Sequence, residues 1–194
     1  IAIFAEGSIK HTAILPVGGN YLTSDIATGL RTPFNEAEKI KIKYGCALTA
    51  MIPKEETIEV PSVGGREARE VSRQILGRII EPRMDEILNM ASKEVVRSGF
   101  EDLLAAGVVL TGGASLLTGI NELAEQIFDM PVRRGNPSGV GGLSDVVNSP
   151  AYATGVGLIV YGSKQLSGES VYRKTGNVFG NMIKTIKKWF LEFF

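Results

Sequence analysis

Val108-Val109-Leu110-Thr111-Gly112-Gly113-Ala114-Ser115-Leu116-Leu117 reads as a short buried strand, a glycine turn and the start of a helix. Paired glycines let backbone amides approach a ligand closely. The helix N-terminus behind them favours negative charge or hydrogen-bond acceptors. Turns of this kind, at the carboxyl ends of parallel strands, are where open α/β sheets bind ligands. A bare Thr-Gly-Gly turn with no ligand fits the same residues.

A chain of 194 residues can bury a substantial core in one or two lobes. Its 21 Lys and Arg balance 21 Asp and Glu, so no basic field argues for nucleic acid. Cys46 is the only cysteine and sits in an apolar run, which excludes a disulfide framework and is compatible with a reducing compartment. His11, the only histidine, has no triad or metal set around it, so zinc chemistry and Ser–His hydrolysis lack their parts. The sequence carries no signal peptide and no apolar run long enough to span a bilayer. It opens in the middle of a strand pattern without a methionine, and reads as the back portion of a longer protein.

Ile1–Phe4 and Ile9–Leu15 flank Glu6-Gly7-Ser8 and predict a β-hairpin. Pro16-Val17-Gly18-Gly19-Asn20 breaks the strand, and Asn20 or Thr23 can cap a helix over Tyr21–Leu30. Asn35 opens a second helix, with Ala37, Ile40, Ile42, Tyr44 and Ala47 as its apolar contacts. A strand pair is expected at Thr57–Val60 and just before Gly64-Gly65. The longest helical pattern spans Arg66–Ser98, where Pro82 should kink or restart it. After the glycine turn come a helix over Leu117–Phe128, a strand at Met130–Arg133, a loop over Gly135–Asn148 and a small-residue helix over Pro150–Gly162.

The last eighteen residues, Asn177–Phe194, carry a different pattern. Val178, Phe179, Met182, Ile183, Ile186, Trp189, Phe190 and Phe193 fall on one helical stripe, opposite Lys184, Lys187 and Lys188. Such a helix, about 27 Å long, is too polar to cross a bilayer. It suits the membrane interface, with aromatics in the acyl boundary and lysines on anionic headgroups. Docking on the protein's own core is the alternative. The polar stretch Ser163–Thr175 favours the membrane, because docked helices are usually reached by connections of about four to six residues.

VVLTGGASLL resembles the adenosine motif of the actin, chaperone and sugar-kinase ATPase superfamily. The longer run VVLTGGASLLTGINELAEQIFDMPVRRGNP, PAYATGVGLIVYG, the segment from Leu15 to Ala27, the Val60-Pro61-Ser62-Val63-Gly64-Gly65-Arg66 run and Ile80-Glu81-Pro82-Arg83 resemble the bacterial actin-like FtsA family. So does a terminal amphipathic helix behind a variable linker. The resemblance covers essentially the whole chain. It implies the C-terminal half of an actin-like ATPase fold, α/β with an α+β inserted lobe. Residues 1–31 and 107–162 would form the nucleotide-binding lobe (subdomain 2A), and 32–106 the inserted lobe (subdomain 2B). Residues 163–176 would be a flexible linker and 177–194 the membrane-targeting helix.

The same resemblance implies ATP as ligand, with Mg²⁺ held mostly by residues preceding this chain. Gly112, Gly113 and Ala114 would line the nucleotide, and Glu38 and Lys41 match a Glu-x-x-Lys pair that meets ribose and adenine. An i,i+3 pair shares one helix face, although a solvated ion pair has the same spacing. Gly18 and Gly19 would lie near the terminal phosphates or metal. No metal ligand and no catalytic residue is assigned, and the chain alone should not hydrolyse ATP; the intact protein would have at most weak ATPase activity.

Functionally the resemblance implies a cell-division adaptor on the cytoplasmic face of the inner membrane at the septum. It would assemble with itself as a filament or dimer, hold the C-terminal tail of the tubulin-like FtsZ and meet other division proteins. Arg69, Arg73, Glu81 and Arg83, on the arginine-rich surface of the long helix that also carries Arg66 and Arg78, would dock that tail, since arginine suits carboxylates, although a solvated helix face fits the same residues. A small-molecule kinase of the same superfamily is the alternative, but it has no use for a membrane helix. A chaperone ATPase would need a peptide-binding domain after the ATPase.

Overall fold

The computed structural model describes residues 1–166 apart from 140 and 142–146. The terminal helix, and the linker beyond 166, lie outside the described residues. The chain divides into Ile1–Gly157 and Leu158–Phe194, and the core and cavity described below belong to the first.

β1 (Ala2–Ala5) and β2 (Ser8–Thr12) form an antiparallel hairpin in which Ala5 faces Ser8. The two turn residues, Glu6 and Gly7, have φ of +54° and +73°. Left-handed backbone at both positions matches the twist of the flanking strands, which is why the turn holds glycine. α1 (Gly19–Gly29) begins earlier than expected, with Gly18 at its cap position and no side-chain cap. Asn20 and Thr23 lie inside the helix, where the Thr23 hydroxyl oxygen stands 3.2 Å from the Gly19 carbonyl.

α2 (Phe34–Tyr44) follows Pro33 and buries Ala37 and Ile40. Ile42, expected among the core contacts, is 75 % exposed. It stands two residues from Ile40, about 200° around the helix, and so faces away from the core stripe.

β3 (Thr57–Val60) pairs antiparallel with β4 (Arg69–Ser72), Thr57 opposite Ser72 and Val60 opposite Arg69. The partner strand lies after Gly64-Gly65, not before it, and Gly64 turns the chain with φ of +74°. α3 therefore starts at Arg73 and runs to Ser98, where Gly99 ends it in the left-handed conformation. Arg66 and Arg69, read as helical, are not on this helix. Pro82 lies inside α3, which continues through it.

β5 (Val108–Leu110) runs parallel to β6 (Val132–Arg134), and α4 (Ile120–Phe128) connects them. α4 starts three residues later than expected because Gly113–Leu116 forms a separate 3-10 turn and Gly119 is left-handed. α5 (Ala153–Leu166) runs four residues past Gly162, into the stretch read as linker. One buried cluster joins α1 (Leu22, Ile26), α2 (Ile40), β3 (Ile58, Val60), α3 (Leu76, Ile80, Met84) and the β5–α4–β6 unit (Ile120, Leu123). The core is thus continuous across the boundary drawn at residue 31.

Candidate functional site

A cavity of about 840 Å³ opens where three distant segments meet: Leu15–Tyr21, Glu38–Ile42 of α2, and Gly113–Leu117. Gly18, Gly19, Glu38, Lys41, Gly113 and Ala114, all singled out in the sequence, line it. The two glycine turns come close together. A Cβ on Gly19 would stand 3.7 Å from the Ala114 Cβ and 3.5 Å from Lys41 Nζ.

The polar wall is organised by Lys41, which is buried. Its ammonium reaches Glu38 Oε2 at 2.7 Å, Thr23 Oγ1 at 2.9 Å and the Gly19 carbonyl at 3.0 Å. Three acceptors match its three donors, so Lys41 acts by fixing its neighbours. The Thr23 hydroxyl also bonds Glu38 Oε2. Both bonds to the carboxylate land on Oε2, and Oε1 carries none of the bonds of this cluster. Burial raises the Glu38 pKa, but the bonds from Lys41 and Thr23 and the Lys41 charge outweigh it, and the net direction is down. Glu38 is therefore held as an anion and an acceptor.

Gly112 and Gly113 have different jobs. Gly112, with φ of +90°, makes the turn; its N–H donates to the Pro150 carbonyl at 3.0 Å, and it does not line the cavity. Gly113 has no positive φ, and a Cβ there would meet no protein atom within 4 Å. Its lack of a side chain keeps the cavity wall open. Leu116, 46 % exposed, and Ile42, 75 % exposed, add apolar surface to the same cavity.

Thr23, Tyr21, Ile42 and Leu116 were not singled out as site residues in the sequence. For Ile42 a signal existed: an apolar residue beside Lys41 but off the helix's own core stripe. Thr23 carried none, since only the packing of α1 against α2 brings it to Lys41.

The four residues expected to dock a partner are engaged within the fold. Arg69, on β4, bonds the Leu30 carbonyl. Arg73 donates from Nε to the Tyr44 carbonyl and from Nη1 to the Glu56 carboxylate, all at 2.8 Å. Glu81 accepts from the Thr49 N–H at 3.0 Å. Arg83 grips Asp25 through Nε at 2.6 Å and Nη2 at 3.2 Å, and also bonds Glu86. His11 Nε2 sits 3.0 Å from Glu94 Oε1. Among the described residues no group of three or more His, Cys, Asp or Glu could hold a metal, and no helix is long and apolar enough to cross a membrane. Phe179, Ile183, Ile186, Trp189, Phe190, Phe193, Lys184, Lys187 and Lys188 lie outside the described residues.

The profile of the family described as "Cell division protein FtsA" matches residues 1–157. This chain belongs to the FtsA family. The FtsA of Pseudomonas aeruginosa is 49 % identical over 97 % of the chain and 47 % of its own length. Those of Neisseria meningitidis and Escherichia coli K12 are 44 % and 42 % identical, each with 47 % of its length covered. The chain thus spans about half the length of the FtsA relatives it matches. Among solved structures, MreB5 of Spiroplasma citri bound to ADP superposes with a TM-score of 0.60 at 16 % identity, over 86 % of this chain and 51 % of that one. The same protein bound to AMPPNP gives 0.58 at 17 % identity. At that identity the likeness is one of fold: the FtsA fold here is actin-like.

Proposed function

We propose that this chain is the ATP-binding and membrane-proximal part of an FtsA-type division adaptor. The observation that carries the nucleotide reading is the convergence of Gly18-Gly19, Glu38-Lys41 and Gly113-Ala114 on one cavity. Glu38 Oε1 suits a ribose hydroxyl, Ile42 and Leu116 suit the flat apolar face of a base, and the glycine turns suit phosphate oxygens. That MreB5 is a nucleotide-bound protein of the same fold adds support. Mg²⁺ would be held mostly by residues outside this chain, which assigns none of its own to it. At most weak hydrolysis follows.

The rest of the reading extends from family membership. Residues 1–31 and 107–162 serve the nucleotide, and 32–106, the inserted lobe, meets the FtsZ C-terminal tail. The protein assembles with itself, and the stripe from Phe179 to Phe193 attaches it to the cytoplasmic face of the inner membrane at the septum. A small-molecule kinase would leave that stripe without a purpose.

The test uses a protein of the relatives' full length that carries this chain. Gly113→Val should abolish binding of a fluorescent ATP analogue while leaving thermal unfolding nearly unchanged, because a Cβ at this lining position meets no protein atom within 4 Å. Normal binding by that variant would refute the assignment. For the membrane, Trp189→Glu should shift the protein from anionic liposomes to the supernatant, since a charge replaces the inserted aromatic. Equal sedimentation of the two proteins would sink that part.

A further inference from the structure

α1 supplies one wall of the cavity, yet its first turn has neither a side-chain cap nor an acidic residue. Helix starts without local caps fray unless something else fixes them. Two cations tie α1 to its neighbours instead, one from each neighbouring helix, without capping the free N–H groups of its first turn. Lys41 of α2 holds the Gly19 carbonyl and Thr23, as described above. Arg83 of α3 holds another part of α1: it donates to both carboxylate oxygens of Asp25, at 2.6 and 3.2 Å. Its guanidinium carbon also lies 6.0 Å from the centroid of the Tyr21 ring. Tyr21 and Asp25 are four residues apart and so share a face of α1. Tyr21 lines the cavity and is 47 % exposed, whereas Arg83 does not line it. The remaining bond of Arg83 goes to Glu86, three residues along α3, which orients the guanidinium from its own helix.

A planar fork that binds a carboxylate along its edge while offering its face to an aromatic ring is a property of arginine that lysine lacks. Resting on the nucleotide reading above, we propose that Arg83 is a positioning residue for nucleotide binding. It sets Tyr21 and the first turns of α1 in the orientation that the cavity needs. It acts through Tyr21 and Asp25, and touches no ligand itself.

The experiment is a mutant cycle in the full-length protein carrying this chain, read by titration with a fluorescent ATP analogue and by thermal unfolding. Arg83→Gln should weaken analogue binding about two- to fivefold, the range of an exposed cation–ring contact. Arg83→Lys should recover only part of this. On a Tyr21→Ala background, Arg83→Gln should cost no further affinity, because the residue through which it acts is gone. Asp25→Asn, which keeps the shape of the side chain, should give a similar loss with the same dependence on Tyr21, and serves if Arg83→Gln fails to fold. An equal loss from Arg83→Gln with and without Tyr21 would make Arg83 merely structural and overturn the proposal. Unchanged binding by both Arg83→Gln and Asp25→Asn, with wild type binding normally, would overturn it too. Failure of the wild-type protein to bind the analogue would instead overturn the nucleotide reading on which the proposal rests.

Discussion

Around the cavity, Lys41 commits its donors to Glu38, Thr23 and Gly19, and the bonds of the cluster to Glu38, a lining residue, fall on Oε2 alone. On the flank formed by β4 and α3, Arg69, Arg73 and Arg83 bond Leu30, Tyr44, Glu56, Asp25 and Glu86, all groups of the fold itself. Both regions are rich in charge, and the sequence suggested a ligand for both. The difference is where the acceptors lie. Both clusters link separate elements, but only the first lies at the wall of the cavity.

The sharpest way to break this contrast is to ask whether α3 is a core helix first. Leu76 is fully buried, whereas the adjacent Ile75 is 45 % exposed. Leu76→Ala should destabilise the protein by about 2–5 kcal/mol, while Ile75→Ala should stay within about 0.5 kcal/mol. Denaturant unfolding measures both. Comparable losses would mean that α3 does not present the face assigned to it.

Next in size is Arg73. Removing it strands the Tyr44 carbonyl and the Glu56 carboxylate, two acceptors on separate segments. Arg73→Ala should cost about 1–2 kcal/mol in unfolding experiments, in keeping with partly exposed charged bonds. If stability were unaffected, the arginine flank would not be serving the fold.

These cases show what could be read from residues alone. The hairpin, the glycine turn and both partners of the Glu38–Lys41 pair were legible, because each rests on local spacing or on turn chemistry within a few residues. The β4 strand was not. Arg69–Ser72 has the charge and the flanking pattern of a helix start, and only its pairing with Thr57–Val60 makes it extended. That tertiary override moved the start of α3 by seven residues, from Arg66 to Arg73, and took Arg69 off the helix. The bonds of Arg73 and Arg83 were illegible for the same reason: their partners lie 17 or more residues away in sequence, apart from Glu86.

The glycine turn offers a finer comparison. Gly112, at φ of +90° and ψ of 168°, occupies backbone space essentially confined to glycine, so Gly112→Ala should cost about 1–3 kcal/mol of stability. Gly113 is neither left-handed nor crowded. Gly113→Ala should change stability by less than about 0.5 kcal/mol yet reduce affinity for an ATP analogue. Parallel unfolding and binding measurements separate the two. Equal stability losses at both positions would remove the argument that Gly113 is glycine for the sake of a ligand.

The smallest effect expected is a pH dependence from Glu38. Burial raises its pKa, but the hydrogen bonds from Lys41 and Thr23 and the Lys41 charge lower it further, so the folded value lies below the ordinary one. A carboxylate lowered on folding contributes stability that is fully present above its unfolded pKa. That contribution is lost as pH falls through the folded value, because below it both states are protonated and the advantage vanishes. The side chain is 37 % exposed, so solvent screening limits the contribution to about 1 kcal/mol or less. Wild type should therefore be slightly more stable than Glu38→Gln near neutral pH, and the gap should close below the ordinary glutamate range. Comparing the two proteins by thermal unfolding from neutral to acidic pH cancels the other carboxylates common to both. A gap that widened toward acid would mean that Glu38 is not held as an anion by Lys41, and its role as a fixed acceptor in the cavity would fall with it.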